Sequence, residues 1–176
     1  MTGWLRSHNN EAGENGGRVV IEEEFAVNAP LAHVWDCIRD PAFVAPCVPG
    51  CRDVEDIGDG AYRAVIKVGI GPIKTEFKLD IAVLEETPPN FARVETRGQE
   101  GTNASRLTAK SELTLTASGD ATTAATATTN VHYKADVQVV GRLAKFGLGI
   151  MKKKAKLLGA EFAENFRTAA EDKGEA

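Results

Sequence analysis

No stretch of this chain supplies the roughly eighteen consecutive apolar residues that a helix needs to cross a bilayer. Its first residues also lack an apolar run of signal-peptide length, so the reading is a soluble, cytoplasmic protein. Cysteine is scarce: three in 176 residues make no disulfide framework, and an odd number fits buried thiols in a reducing compartment. The C-x-x-C spacing of a thioredoxin-type redox pair is missing. No G-x-S-x-G or comparable motif accompanies His8, His33 or His132, which excludes a recognisable nucleophile and base. Phosphate-binding glycine patterns are missing too. Gly69-Ile70-Gly71-Pro72 lies between two strand patterns, not before a helix, and Pro72 removes an amide donor. The acid pairs Glu85-Glu86 and Asp53 to Asp56 flank turns and read as solvated surface. A net charge of −4 argues against nucleic acid as the main partner.

What is present begins with a possible metal site. His33 and Cys37 stand one helical turn apart, and Cys47 and Cys51 follow in FVAPCVPGC. C-x3-C around Pro-Gly is not the spacing of a zinc knuckle, and cysteine is among the most buried residue types. The favoured reading is three packed apolar thiols and no metal.

Residues 1–17 are polar and rich in Gly and Asn and read as a disordered tail, followed by one domain over 18–170 and a short disordered end at 171–176. Val19 to Val27 alternates as a strand. Asn28-Ala29-Pro30 opens a short helix, and Asp40-Pro41 a second helical turn, which Pro46 and Pro49 end. Strand patterns then follow one another, separated by turns at Gly58 to Gly60, Gly69 to Pro72, Pro88 to Asn90, Gly98 to Asn103 and Ser118 to Asp120. Ala121 to Thr129, almost all Ala and Thr, reads as a further strand, with a low-complexity loop as the alternative.

From Gly141 the period becomes helical and runs to about Ala170. Leu143, Phe146, Ile150 and Leu157 share one stripe, with Gly147, Met151, Leu158, Phe162 and Phe166 beside it. An antiparallel meander with one apolar face and one long amphipathic helix pack with the helix in the palm of the sheet. The small residues Gly147 and Gly149 leave room there, either for a hydrophobic ligand or for close packing of helix on sheet. Gly141 to Ala160 carries six basic residues and no acidic one. Its lysines form either a solvated helix face or a surface attracted to anionic lipid or an acidic partner.

Four stretches together resemble one family: EFAVNAPLAHVW (Glu24 to Trp35), DPAFVAPCVPGCRDVE (Asp40 to Glu55), GDGAYRAVIKVGIGPIKTEFK (Gly58 to Lys78) and ADVQVVGRLAKFG (Ala135 to Gly147). The chain resembles the CoxG family of carbon monoxide dehydrogenase subunits, within the START-like (SRPBCC) helix-grip superfamily, over about residues 19 to 167. The resemblance implies an α+β helix-grip fold: a curved seven-stranded antiparallel sheet around a long C-terminal helix, two short helices after the first strand, and a hydrophobic cavity without catalytic machinery. It implies CO dehydrogenase or a related molybdenum hydroxylase as partner, a quinone (menaquinone or ubiquinone) as bound ligand, and recruitment of the enzyme to the inner face of the membrane. Some members continue past the helix to a hydrophobic anchor, which residues 171–176 do not contain. The alternative function is a structural adaptor that recruits the dehydrogenase or aids its maturation without a ligand. On alternation, the expected lining is Phe25, Phe43, Val44, Ile66, Val68, Phe77, Leu79, Val131, Tyr133, Leu143, Phe146, Gly147 and Ile150. The expected membrane or partner surface is Arg142, Lys145, Lys152, Lys153 and Lys156.

Overall fold

Alternation of apolar and polar residues, broken by glycine-rich turns, produces seven strands that pair antiparallel in the order β1-β7-β6-β5-β4-β3-β2. The computed structural model describes residues 16–101, 104–118 and 126–174. Its strands are β1 (Gly16–Val27), β2 (Cys51–Gly58), β3 (Ala61–Ile70), β4 (Ile73–Thr87), β5 (Phe91–Glu100), β6 (Ser105–Ser118) and β7 (Thr128–Gly141). Between β1 and β2 lie α1 (Leu31–Arg39), α2 (Pro41–Val44) and a 3-10 turn, Ala45–Cys47. A second 3-10 turn, Arg142–Phe146, leads from β7 into α3 (Leu148–Gly174). The α+β helix-grip architecture expected from the sequence is the one found.

Local chemistry explains the short helices. Asp40 accepts a hydrogen bond from the Ala42 amide at 3.0 Å, and Pro41 occupies the first turn of α2, where a missing donor does no harm. Pro46 keeps the next residues to a single 3-10 turn.

α3 buries Met151, Ala155, Gly159, Ala163, Phe166 and Ala170, a narrow stripe of mostly small residues. These let the helix lie close on β1: a Cβ on Gly159 would stand 2.9 Å from Ile21 Cγ2. One core gathers around Phe166, fully buried, with Val27, Val34, Trp35, Cys37, Cys47, Leu115 and Val131. Burying a ring of that size stabilises the fold by about 2–3 kcal/mol. A smaller cluster joins Met151 and Ala155 to Val19. The far end of α3 is tied down by Glu171 Oε1, which accepts from the Asn28 amide at 2.9 Å, and by Asn165 Nδ2, which donates to Cys47 O at 3.2 Å.

Several expectations need correction. The helix does not begin at Gly141: residues 142–146 form a 3-10 turn, and Gly147 at φ +88° breaks the phase. The stripe carried from Leu143 across Gly147 therefore loses its meaning, and Ile150 and Leu157 are 49% and 59% exposed. At its other end α3 continues through Gly174, past the assigned domain limit at 170. The turn read at Gly98 begins later, because β5 extends to Glu100. Of the Ala/Thr stretch, Thr128 and Thr129 belong to β7, while residues 121–125 lie outside the described residues, as does most of the tail at 1–17.

Candidate functional site

The side chains of the sheet divide cleanly by register. Ala64, Leu79, Gly98, Leu107 and Val139 form one cross-strand row, and Tyr62, Ile81, Thr96, Ala109 and Val137 the next, all on the face toward α3. A Cβ built on Gly98 would stand 2.7 Å from both Leu79 and Leu107, which fixes the face that these three share. α3 packs chiefly on β1, at one edge of the sheet, and touches β3. The inner faces of β3, β4 and β5 are consequently only half-covered: Ile66, Val68, Leu79, Ile81, Val83 and Val94 are neither buried nor exposed. The result is an apolar trough, with Leu158 and Phe162 of α3 half-buried at its flank.

One end of the trough is closed by aromatic rings. Phe166 meets Phe43 edge-on at 5.7 Å and Phe25 at 6.3 Å, and Phe162 stacks on Phe166 at 5.9 Å. Phe162 also reaches Tyr133 at 6.3 Å. The Tyr133 hydroxyl lies 3.3 Å from Ser111 Oγ, a polar pair on an otherwise apolar face, and burial pushes the phenol's pKa up.

At the opposite end, where β7 turns into α3, stands a buried carboxylate. Glu100 is 2% exposed, on the trough side of β5. It accepts hydrogen bonds from the Arg142 guanidinium, with Nε at 3.2 Å, and from the Thr75 hydroxyl. The Arg142 hydrogen bonds, supported by those of Thr75 and Ser105, outweigh burial and hold the carboxyl down to about 2. Phe146 closes over the tip of the β3–β4 hairpin, its ring 3.6 Å from the position of a Cβ on Gly71.

The expected lining residues separate into three groups. Ile66, Val68 and Leu79 line the trough, and Phe77, 1% exposed, is packed beneath it. Phe25, Phe43, Val44, Val131 and Tyr133 gather in the core around Phe166, and Leu143 is buried beside the second 3-10 turn while Phe146 guards its end. Gly147 and Ile150 are exposed and form no wall, because the helical phase assumed for them breaks at Gly147.

On the surface set, Lys145, Lys152, Lys153 and Lys156 are exposed as expected, whereas Arg142 is engaged with Glu100 and is not a free surface cation. Sequence reasoning missed Glu100. The alternation Val94, Thr96, Gly98, Glu100 points it inward, and only the early turn assignment hid that signal.

A second concavity, of about 900 Å3, lies on the outer face of the sheet. It is lined by Asp53, Glu55, Arg63, Lys78, Asp80, Arg97 and Arg106, with Ala64, Leu79, Gly98 and Leu107 presenting backbone to it. Its charged lining suits no apolar ligand.

The candidate metal set does not come together. His33 Nε2 lies 2.9 Å from the Ala170 carbonyl oxygen, to which it donates, and 3.6 Å from Cys37 Sγ. Cys47 Sγ donates to Phe43 O at 3.5 Å, and Cys51 Sγ turns to Asp53 O. Burial pushes all three thiols up. Among the described residues, no three His, Cys, Asp or Glu side chains are grouped to hold a metal ion. Among them, too, no helix is long and apolar enough to cross a membrane.

Solved structures share this fold. A conserved protein from Geobacillus kaustophilus superposes with a TM-score of 0.76 at 24% identity, covering 87% of this chain and 95% of its own. A protein from Rhizobium leguminosarum gives 0.59 at 16%, covering 89% and 97%. The Zhui aromatase/cyclase from Streptomyces sp. R1128 gives 0.53 at 17%, covering 90% and 94%. At these identities the likeness is one of fold alone. No curated protein compared with the chain matches it. The sequence itself matches a family description over residues 24–171, which span β1 to the end of α3, and on that match the chain belongs to the CoxG family of carbon monoxide dehydrogenase subunits.

Proposed function

We propose that this protein holds a lipophilic, quinone-like molecule in the trough between sheet and α3. It docks to a molybdenum-containing CO dehydrogenase or related hydroxylase, coupling it to the respiratory membrane. The observation that carries the reading is the half-covered apolar face of β3 to β5, which α3 leaves open by packing on β1. Tyr133 and Ser111 supply a polar pair suited to a carbonyl or hydroxyl head group. The family supports the link to CO dehydrogenase.

This is a binding role and not catalysis. Among the described residues Glu100 is the buried carboxylate, and its oxygens are taken up by Arg142 and Thr75. Extraction of the purified protein with organic solvent, followed by mass spectrometry, should yield an isoprenoid quinone, menaquinone or ubiquinone. An empty extract, together with no uptake of added quinone, rejects the reading.

The adaptor reading has its own support in the outward face of α3, where Leu148, Ile150 and Leu157 are exposed beside Lys152, Lys153 and Lys156. A protein that binds the dehydrogenase and anionic vesicles but takes up no quinone would favour it.

A further inference from the structure

The connection from β7 to α3 is held firmly at one end and loosely at the other. At the firm end, Gly141 sits at φ +98°, and a Cβ there would lie 2.1 Å from the Ala104 carbonyl oxygen, so a side chain has no room. The Arg142 amide donates to that same oxygen at 2.9 Å, and the Leu143 amide donates to Ser105 Oγ at 3.2 Å. Leu143 is 3% exposed, and the Arg142 guanidinium is paired with buried Glu100.

At the loose end, Gly147 sits at φ +88° with nothing within 4 Å of where its Cβ would be, and Leu148, Gly149 and Ile150 after it are exposed. Phe146, between the two ends, rests half-buried against the hairpin tip at Gly71.

We propose that Phe146 is a door at the hairpin end of the trough, swinging about Gly147 while Arg142 and Leu143 stay latched to the sheet. A long apolar ligand passes between Phe146 and the β3–β4 tip. This rests on the ligand-holding reading above. The opposite end offers no passage, since the rings of Phe25, Phe43, Phe162 and Phe166 are packed together there. The trough runs to the door: Val68 and Ile73 are half-buried next to the tip. A buried ion pair is often worth little net stability but selects one arrangement over others, which is what a latch at the fixed end of a hinge requires. Hinges are a few residues that absorb a backbone change, and Gly147, free of steric neighbours, meets that need.

The test uses the neutral fluorescent probe N-phenyl-1-naphthylamine, mixed with the full chain in a stopped-flow instrument. Phe146→Ala should raise the association and dissociation rates together by about tenfold and change Kd by less than about twofold, the pattern of a removed barrier. Gly147→Ala, which adds only backbone strain to the closed form, should move both rates in the same direction. A rise in the dissociation rate alone, with Kd weakened in parallel, makes Phe146 a wall and overturns the door. Unchanged rates in both variants also overturn it. Wild-type protein that takes up no probe overturns the ligand reading, and the door falls with it.

Discussion

Arg142, with its side chain 41% exposed, holds the carboxylate of Glu100, whose side chain is 2% exposed. The two partners are unequally committed to burial, so removing each has a different consequence. Arg142→Ala strands a carboxylate inside the sheet and should destabilise the fold by about 3 kcal/mol. Glu100→Gln keeps a partner for Thr75, and the arginine can turn to water, so the loss should be about 1 kcal/mol. Urea denaturation of the two variants at pH 7 checks the ordering; equal losses would mean that Glu100 is solvated when unpaired.

The same pair sets a dependence on pH. The Glu100 carboxyl is depressed in the folded protein to about 2 from an ordinary value of 4.5. Its contribution is therefore fully present above the unfolded value and is lost as pH falls through that window toward 2. In Arg142→Ala the sign reverses, because burial without the guanidinium raises the carboxyl, and protonation then relieves the penalty. The stability gap between wild type and variant should narrow between pH 7 and pH 4 in urea titrations. A constant gap would detach Glu100 from it.

An open trough also predicts unequal costs for neighbouring truncations on one strand. Phe77, 1% exposed, fills its site, and Phe77→Ala should cost about 3–4 kcal/mol through the cavity left behind. Leu79, two residues on and on the same face, is only half-buried. Leu79→Ala should cost about 1 kcal/mol, because less transfer energy is lost and water or ligand already reaches the site. Equal costs, read from denaturation midpoints, would mean that the trough is closed core.

How much of this was legible in the sequence depended on the length of each periodic run. Alternation over β3 and β4 placed Ile66, Val68, Phe77 and Leu79 on the correct face, since a period of two leaves no freedom once one residue is placed. The outline of sheet and helix followed from the same signal. The connection before α3 was not legible, because Gly141 and Gly147 adopt positive φ and Arg142 to Phe146 form a 3-10 turn that helical spacing mimics. That one error misplaced Gly147 and Ile150 as wall residues and Arg142 as a surface cation. Nor does periodicity say how far across a sheet a helix lies. Small residues at Ala155, Gly159 and Ala163 draw α3 onto β1, and that offset opens the trough.

Gly159 tests the offset directly. A Cβ there would meet Glu23 Oε1 at 2.7 Å and Ile21 Cγ2 at 2.9 Å. The glutamate tip can swing aside, but the isoleucine methyl is near the backbone. Gly159→Ala gains about 1 kcal/mol of helix propensity and loses a similar amount to crowding, leaving stability nearly unchanged. Gly159→Val, branched at Cβ, should destabilise by about 2 kcal/mol as the helix is pushed from β1. Thermal melts of the two variants decide it; a valine variant as stable as wild type would show that α3 rides loosely.

The outward face of α3 makes a final prediction about surface and not fold. Ile150 is 49% exposed and Leu157 59%, so neither contributes much to the core, and Ile150→Ser should change stability by less than about 0.5 kcal/mol. Beside them Lys152, Lys153 and Lys156 are exposed. Basic residues near an anionic bilayer are worth about 1 kcal/mol each, so reversing all three to Glu should weaken binding to phosphatidylglycerol vesicles by more than about a hundredfold. Raising the salt should weaken wild-type binding steadily, because the attraction is screened over a Debye length, while the loss from Ile150→Ser should persist at high salt as an apolar contact. Vesicle sedimentation with the folded variants measures both effects. If the triple reversal binds as tightly as wild type, the lysines are a solvated helix face and nothing more.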